Sequence, residues 1–396
     1  MSKIYKASNF FEITNLVYKI AGWHYNLNSI NVKNKFFQEI YYWFLNGLYI
    51  FIILQSLAYL FYNIGNPEKF LDVTEMILVI GFIVMLIMKS YFVVYRNRKI
   101  FTEMIDDLDE VIPKAQHVQE KFNIEAYYKK IRVVSIASSL TYSSLLIVFN
   151  IMPILEKFTG FILGTNVKWE LPFKFYFPFD ATQDYVYPIM YIYETWLCGK
   201  CAVEVLGSDL LFCNITSLIT MRLELLRREI VEIDVENHEK SLESLKDFVK
   251  VHQHLKKIVD KLEKLYSFSL LGDILASTII TCLAAFNAVL GVKGVPLLKF
   301  IICFFTSLFR IGFQCFHVDQ MTRASLNLAD GAYENLWYKG SIKFKKTLLI
   351  IIMRSQKPFI VTSYKFQALS LESFTAFVRA SYSLFALLQT MYRNDA

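Results

Sequence analysis

Charge is what this sequence has least of. Asp, Glu, Lys and Arg make up 19% of the 396 residues, where a soluble domain carries about 25%. Glycine (14) and proline (8) are also scarce, which excludes a disordered or low-complexity chain. Six cysteines over this length exclude a small scaffold held together by disulfides. No Walker loop, G-x-G-x-x-G, H-E-x-x-H or G-x-S-x-G is present, so no common catalytic constellation is legible, and neither an enzyme nor a cofactor is expected. His252 and His254 sit two apart and point to different faces of a helix, a poor arrangement for a metal. The abundant residues are apolar: 55% hydrophobic and 16% aromatic, with 35 Phe and 24 Tyr. A soluble chain of this make-up would expose large adhesive patches, so a polytopic membrane protein is what remains.

A helix needs about 20 apolar residues to cross the hydrocarbon. Seven stretches qualify, near residues 40–62, 73–95, 133–155, 186–206, 268–290, 295–317 and 370–391; the fourth and seventh are the least hydrophobic. Backbone polar groups must be satisfied inside lipid, so the spans are read as helices. The first 39 residues lack the short apolar core of a signal peptide.

Basic residues set the orientation. The N-terminal segment, the loop between spans two and three, the loop after span four and the last loop are rich in Lys and Arg. The alternate loops are poor in them, with Lys69 alone between spans one and two. The rich side is read as cytoplasmic. The N-terminus is then inside and the C-terminus, after seven crossings, outside. That is the inverse of a G-protein-coupled receptor, whose Asn-Pro-x-x-Tyr is also missing from span seven. All six cysteines fall in spans or at their inner ends, so no disulfide is expected. Cys198-x-x-Cys201 reads as small packing residues in a helix.

The chain therefore divides into a cytoplasmic segment (1–39), four spans (40–216) with an outer loop (156–185), a cytoplasmic helical extension (217–266), two spans (267–317), a cytoplasmic anchor helix (318–366) and a last span with an outer tail (367–396). In the extension, Leu245, Phe248, His252, Leu255, Val259, Leu262 and Tyr266 recur at helical steps. They form an apolar face that suits packing on other cytoplasmic helices better than lying on anionic lipid. Lys200 and Glu204, four apart, are expected to pair. Ser325 is expected to cap a helix, and the run 347–353 to stop at Pro358. The outer loop holds Trp169, Pro172, Phe173, Phe175, Tyr176, Phe177 and Phe179, rings that must bury, and reads as a lid. Intramembrane charge is sparse: Glu75, Lys89, Glu194, Asp273, Arg310 and Arg379. Most lie near span ends and are not expected to form the central row of a proton-coupled transporter.

The C-terminal quarter carries a signature: Ser325-Leu326-Asn327-Leu328, Ala332-Tyr333-Glu334-Asn335-Leu336-Trp337, Met353-Arg354-Ser355-Gln356-Lys357-Pro358 and Ser381-Tyr382-Ser383-Leu384-Phe385-Ala386-Leu387-Leu388-Gln389. With Pro178-Phe179-Asp180 in the outer loop, the chain resembles the insect odorant receptors. It lacks the long insertion before span five of that family's co-receptor, so it resembles a ligand-tuned subunit. The spacing of Tyr382 and Gln389 departs from the pattern of the related gustatory receptors, which stay open as an alternative beside a seven-helix transporter.

The resemblance implies an odorant-gated, non-selective cation channel at the plasma membrane of an olfactory dendrite. It implies a heterotetramer with the co-receptor, a small volatile ligand, contact with lipid and no nucleic-acid partner. Four copies of the last span would line the pore, through Tyr382, Ser383, Ala386, Leu387, Leu388, Gln389 and Thr390. The ligand pocket is expected in the outer half. Its candidates are Ile80, Gly81 and Val84; Tyr142, Leu145 and Phe149; Tyr187, Tyr191 and Glu194; and Thr278, Thr281 and Phe286. An apolar, aromatic cavity with a few polar groups suits a small volatile molecule.

Overall fold

The computed structural model describes residues 4–22, 32–66, 69–162, 164, 169–183, 185–290 and 295–395. Parts of the predicted N-terminal segment and of the predicted lid (163, 165–168 and 184) lie outside them.

Two short helices, α1 (Ala7–Phe10) and α2 (Glu12–Ala21), precede the first long one, α3 (Val32–Asn63). α4 (Phe70–Lys89) runs into a π-helical turn, Ser90–Arg96, and is followed by α5 (Arg98–Val111) and α6 (Gln116–Lys121). The long helices α7 (Ile124–Ile162), α8 (Tyr187–Val231), α9 (His238–Leu290) and α10 (Val295–Glu334) come next. α11 (Ile342–Ser355), a minimal hairpin of β1 (Thr362–Ser363) and β2 (Gln367–Ala368), and α12 (Leu371–Asp395) complete the chain. The seven expected spans fall in α3, α4, α7, α8, α9, α10 and α12. Six of these are long and apolar enough to cross a membrane. The seventh, α12, has 25 residues, about 37 Å at 1.5 Å per residue, which is also a membrane's thickness, but one of its faces is polar.

Several helices overshoot the bilayer. α8 has 45 residues and α9 has 53, about 68 and 80 Å, so their far halves stand beyond it. There they gather with α5, α10 and α11 around Leu218, Leu225, Leu255, Leu262, Val318, Leu328, Phe344 and Phe359, all buried. We call this the anchor end, and the opposite end, which bears residues 169–183, the lid end.

Local chemistry explains the anchor end's joints. Ser341 caps α11 by accepting from Phe344 N at 3.3 Å, and the helix stops at Ser355, ahead of Pro358. Ser325 is not a cap: α10 runs straight through it, and its hydroxyl accepts from Phe359 N at 2.9 Å, tying the chain after α11 to α10. Asn335 is buried and its Nδ2 donates to the carbonyls of Ile230, Val231 and Ile233. It closes the end of α8, whose last carbonyls have no helical donor. The hairpin turns through Tyr364 and Lys365, both at positive φ. Tyr364 N donates to Ser267 Oγ of α9 at 2.8 Å, so the approach to α12 is pinned to α9.

The expected Lys200–Glu204 pairing is replaced by a different contact. Lys200 Nζ donates to Ala21 O and Ile20 O at the C-terminal end of α2, where a cation meets the helix's exposed carbonyls. α2 lies along α8 with Tyr18 buried against Gly207; a Cβ there would stand 2.9 Å from the Tyr18 ring. Only glycine permits that approach.

Candidate functional site

At the lid end α3, α4, α7, α8, α9 and α10 surround a cavity of about 110 Å³. Its wall is almost wholly apolar: Leu78, Val79, Phe82 and Ile83 of α4, Leu145, Leu146 and Phe149 of α7, Leu197, Cys198, Cys201 and Ala202 of α8, and Ile52, Ile280 and Cys303. Phe173 and Phe175 of the lid complete it. A dry cavity of about 150 Å³ accepts benzene, so this one suits a molecule of about that size.

The lid is held by specific bonds. Phe173 N donates to Glu194 Oε2 at 3.0 Å, Lys174 pairs with Asp72 at 2.5 Å, and Gln55 Nε2 donates to Tyr176 O at 3.4 Å. Phe173 stacks on Phe149, with ring centroids 5.9 Å apart. Two carboxyl groups reach the wall, Glu75 and Glu194. Glu75 is paired with Lys299, whose ammonium also lies 4.8 Å from the Phe149 ring centroid. Glu194 is 1% exposed and its second oxygen, Oε1, has no hydrogen-bond partner.

Of the twelve residues predicted for a pocket, the cavity brings together Leu145, Phe149 and Glu194. The others sit elsewhere for identifiable reasons. Gly81 faces Ile280, 3.6 Å from where a Cβ would be. Ile80 is half-buried and Val84 is 41% exposed on α4. Thr278 bonds back to Ile274 O, and Thr281 bonds Ser307 at 2.8 Å. Phe286 packs on Phe70 and Tyr392. Tyr187 lies against Trp169 and donates to Glu170 O, and Tyr191 donates to Asn150 O. Tyr142 donates to Asp209.

That last bond belongs to a second feature, a buried ion cluster. Lys89 of α4 contacts Asp209 of α8 and lies 2.8 Å from Asp273 of α9. Arg310 of α10 reaches Asp273 at 3.1 Å and Asp209 at 3.8 Å, and donates to Ser277. Gln314 donates to Asp209 at 2.8 Å. Two acids and two bases balance, and each is at most 6% exposed. Lys89, Asp273 and Arg310 were expected as sparse charges, the first two near span ends. The structure brings them together, because four helices deliver them and Asp209 to one point. Asp209 follows Glu194 by 15 positions on α8, so the cluster lies about 22 Å deeper than the cavity's carboxyl.

α12 packs on α9 and α10 through Ser373, Phe377 and Ser381. Its opposite face leaves Arg379, Tyr382, Ser383, Leu387 and Thr390 exposed, with Ala386 and Gln389 half-buried. Leu388 turns inward, against Leu78, Ile280 and Phe300.

Long apolar helices around an internal cavity define a seven-helix membrane protein. Residues 69–382 match the family model of the seven-helix odorant receptors, and the chain belongs to that insect family. Among its relatives are the Drosophila melanogaster odorant receptors 85c, 24% identical over 93% of this chain and 95% of its own, and 67c, 28% identical over 76% and 75%. The fold is similar to the olfactory receptor OR5 of Machilis hrabei, solved alone and in complex with eugenol. The complex matches with a TM-score of 0.81 at 16% identity over 97% of this chain and 98% of that one.

Proposed function

We propose that the chain is a ligand-tuned subunit of an odorant-gated, non-selective cation channel. The cavity is its odorant site and α12 its pore helix. The observation that carries this reading is the polar face of α12. A helix of membrane length leaves Arg379, Tyr382, Ser383 and Thr390 exposed in the single chain. Lipid does not solvate such a face, whereas water in a pore or a neighbouring subunit does. Leu349, Ile350 and Met353 of α11 are also exposed, at 58–66%, an apolar surface that supports assembly through the anchor end.

In this reading the anchor end is cytoplasmic, the lid faces outward, and the partner subunits include the odorant co-receptor in the plasma membrane. The ligand opens the channel only by binding the open state more tightly than the closed one. Around Gln389 the apolar Leu387 and the small Ala386 would form a constriction that closes by dewetting. Leu388, which faces the subunit's own interior, would hold α12 against α4 and α9. The test is current recorded from cells expressing the chain with and without the co-receptor, challenged with an odorant panel. Odorant-evoked cation current that requires the co-receptor is expected. Gln389→Ala should change ion permeability and leave agonist ranking intact; the reverse result would remove α12 from the pore, and uptake without current would point to a transporter.

A further inference from the structure

Glu194 is the anomaly of the cavity. It lines an apolar wall and is 1% exposed. Among the described residues no cationic nitrogen lies within ion-pair distance of it; Lys299 is taken by Glu75, the wall's other carboxyl. An unpaired carboxylate in such a wall costs far more than a neutral acid, so the acid form is favoured. The two oxygens then differ in kind. Oε2 accepts from Phe173 N of the lid at 3.0 Å, as the carbonyl oxygen of an acid does, which leaves the proton to Oε1. Oε1 has no hydrogen-bond partner in the protein, and a buried donor without one is destabilising. The space that this side chain borders is the cavity. Apart from the paired Glu75, the wall's other side-chain heteroatoms are the thiols of Cys198, Cys201 and Cys303, which are weak donors and weak acceptors. The strong polar group left open in the cavity is therefore a donor.

We propose that Glu194 donates a hydrogen bond into the cavity and so selects ligands that carry an acceptor, such as an aldehyde or ketone oxygen or a nitrile nitrogen, on a compact apolar body of about benzene's size. The acceptor takes the hydrogen bond of Oε1 while the body fills the space between Leu78, Phe82, Leu145, Phe149 and Leu197. A molecule of the same shape without an acceptor leaves Oε1 unpaired, and a site with a buried polar group left unpaired rejects such analogues strongly. The proposal rests on the cavity's being the ligand site.

Benzaldehyde with styrene, and benzonitrile with phenylacetylene, are two pairs of near-isosteres in which only the first member carries a strong acceptor. Binding of each to the purified chain, by ligand-induced thermal shift, is measured beside evoked current in cells with the co-receptor. The first member of each pair is expected to exceed the second by about tenfold or more in affinity and in potency. Glu194→Gln keeps an oxygen for Phe173 N and offers an N–H donor in place of the O–H, so the preference should persist. Glu194→Met has similar length but no donor, and should bring the members of each pair within about threefold of one another. A smaller preference on the wild-type chain overturns the proposal, as does a preference that Glu194→Gln loses or that Glu194→Met keeps. None of these outcomes touches the channel reading, provided that current still requires the co-receptor. Should Glu194→Met fail to fold or to reach the surface, the rankings of the wild-type chain and Glu194→Gln decide. Acceptor-selective binding that evokes no current upholds the selectivity and overturns the channel reading instead. No binding and no current from any of the four overturns the proposal.

Discussion

Replacing Asp209 with Asn would leave Lys89, Asp273 and Arg310 as two positive charges and one negative, in a site where none is more than 6% exposed. Removing one partner of a buried ion pair costs about 3–5 kcal/mol, because the other charge stays desolvated. That is a large part of a total stability of about 5–15 kcal/mol. Lys89→Met should cost a similar amount for the opposite reason, leaving two acids and one base. The double variant Lys89→Met/Asp209→Asn restores the balance: Arg310 keeps Asp273 at 3.1 Å, and the amide at 209 still accepts from Gln314. It should therefore be more stable than either single variant, although it carries both changes. Thermal unfolding of the purified, detergent-solubilised protein, with the fraction delivered to the cell surface alongside, measures all four corners of the cycle. Single variants within about 1 kcal/mol of wild type, or a double variant as unstable as the sum of the singles, would refute the claim that charge balance holds these four helices together.

Ala202→Leu adds bulk to the cavity wall and should lower agonist potency at least tenfold in current recordings while the surface amount stays near wild type. Asn335→Leu removes the amide that donates to three carbonyls around the end of α8 and should cost about 1–3 kcal/mol in thermal unfolding. Gly207→Val drives a side chain into the Tyr18 ring and should cost about 1–3 kcal/mol, read by unfolding and by protease access to the N-terminal helices. His252, buried in the anchor end, has its pKa lowered to about 4 by desolvation and then by Arg354. The unfolded chain takes up that proton near pH 6.5 and the folded chain does not, so stability should fall as pH drops from about 6.5 to about 4. A melting profile of His252→Leu that declines as steeply over that window would contradict this.

Six of the long helices were legible because an apolar run of about 20 residues matches the hydrocarbon's thickness and exceeds what a buried core helix needs. Their continuation past the membrane was legible in the extension 217–266, where Leu245, Phe248, Leu255, Val259 and Leu262 recur at helical steps. α1 and α2 were not singled out: ten residues with a single buried face, Thr14, Val17, Tyr18 and Ala21, resemble many solvent-exposed segments until α8 is there to meet them. The hairpin was invisible too. Two-residue strands carry no alternation, and its turn uses Tyr364 and Lys365 at positive φ, where sequence patterns lead one to look for glycine or asparagine.

The cavity was legible only in part, through Leu145, Phe149 and Glu194. In a membrane helix, apolar residues face lipid, neighbours or cavity alike, so periodicity does not say which of Leu78, Val79, Ile80 or Val84 turns inward. Glu194 stood out because a carboxyl there needs a reason. The ion cluster was missed for a different cause, since span ends were drawn where hydropathy fades. Lys89 was placed at the inner end of span two and Asp209 beyond the end of span four. Counted from the lid end the same residues align: Lys89 lies 19 positions past Phe70, Asp209 22 past Tyr187, Asp273 17 before Leu290 and Arg310 15 past Val295. Charges of opposite sign at matching depth on four adjacent helices must meet or remain unpaired in a low-dielectric interior. Depth measured along the helix axis, rather than distance from a hydropathy boundary, is the signal that would have found them.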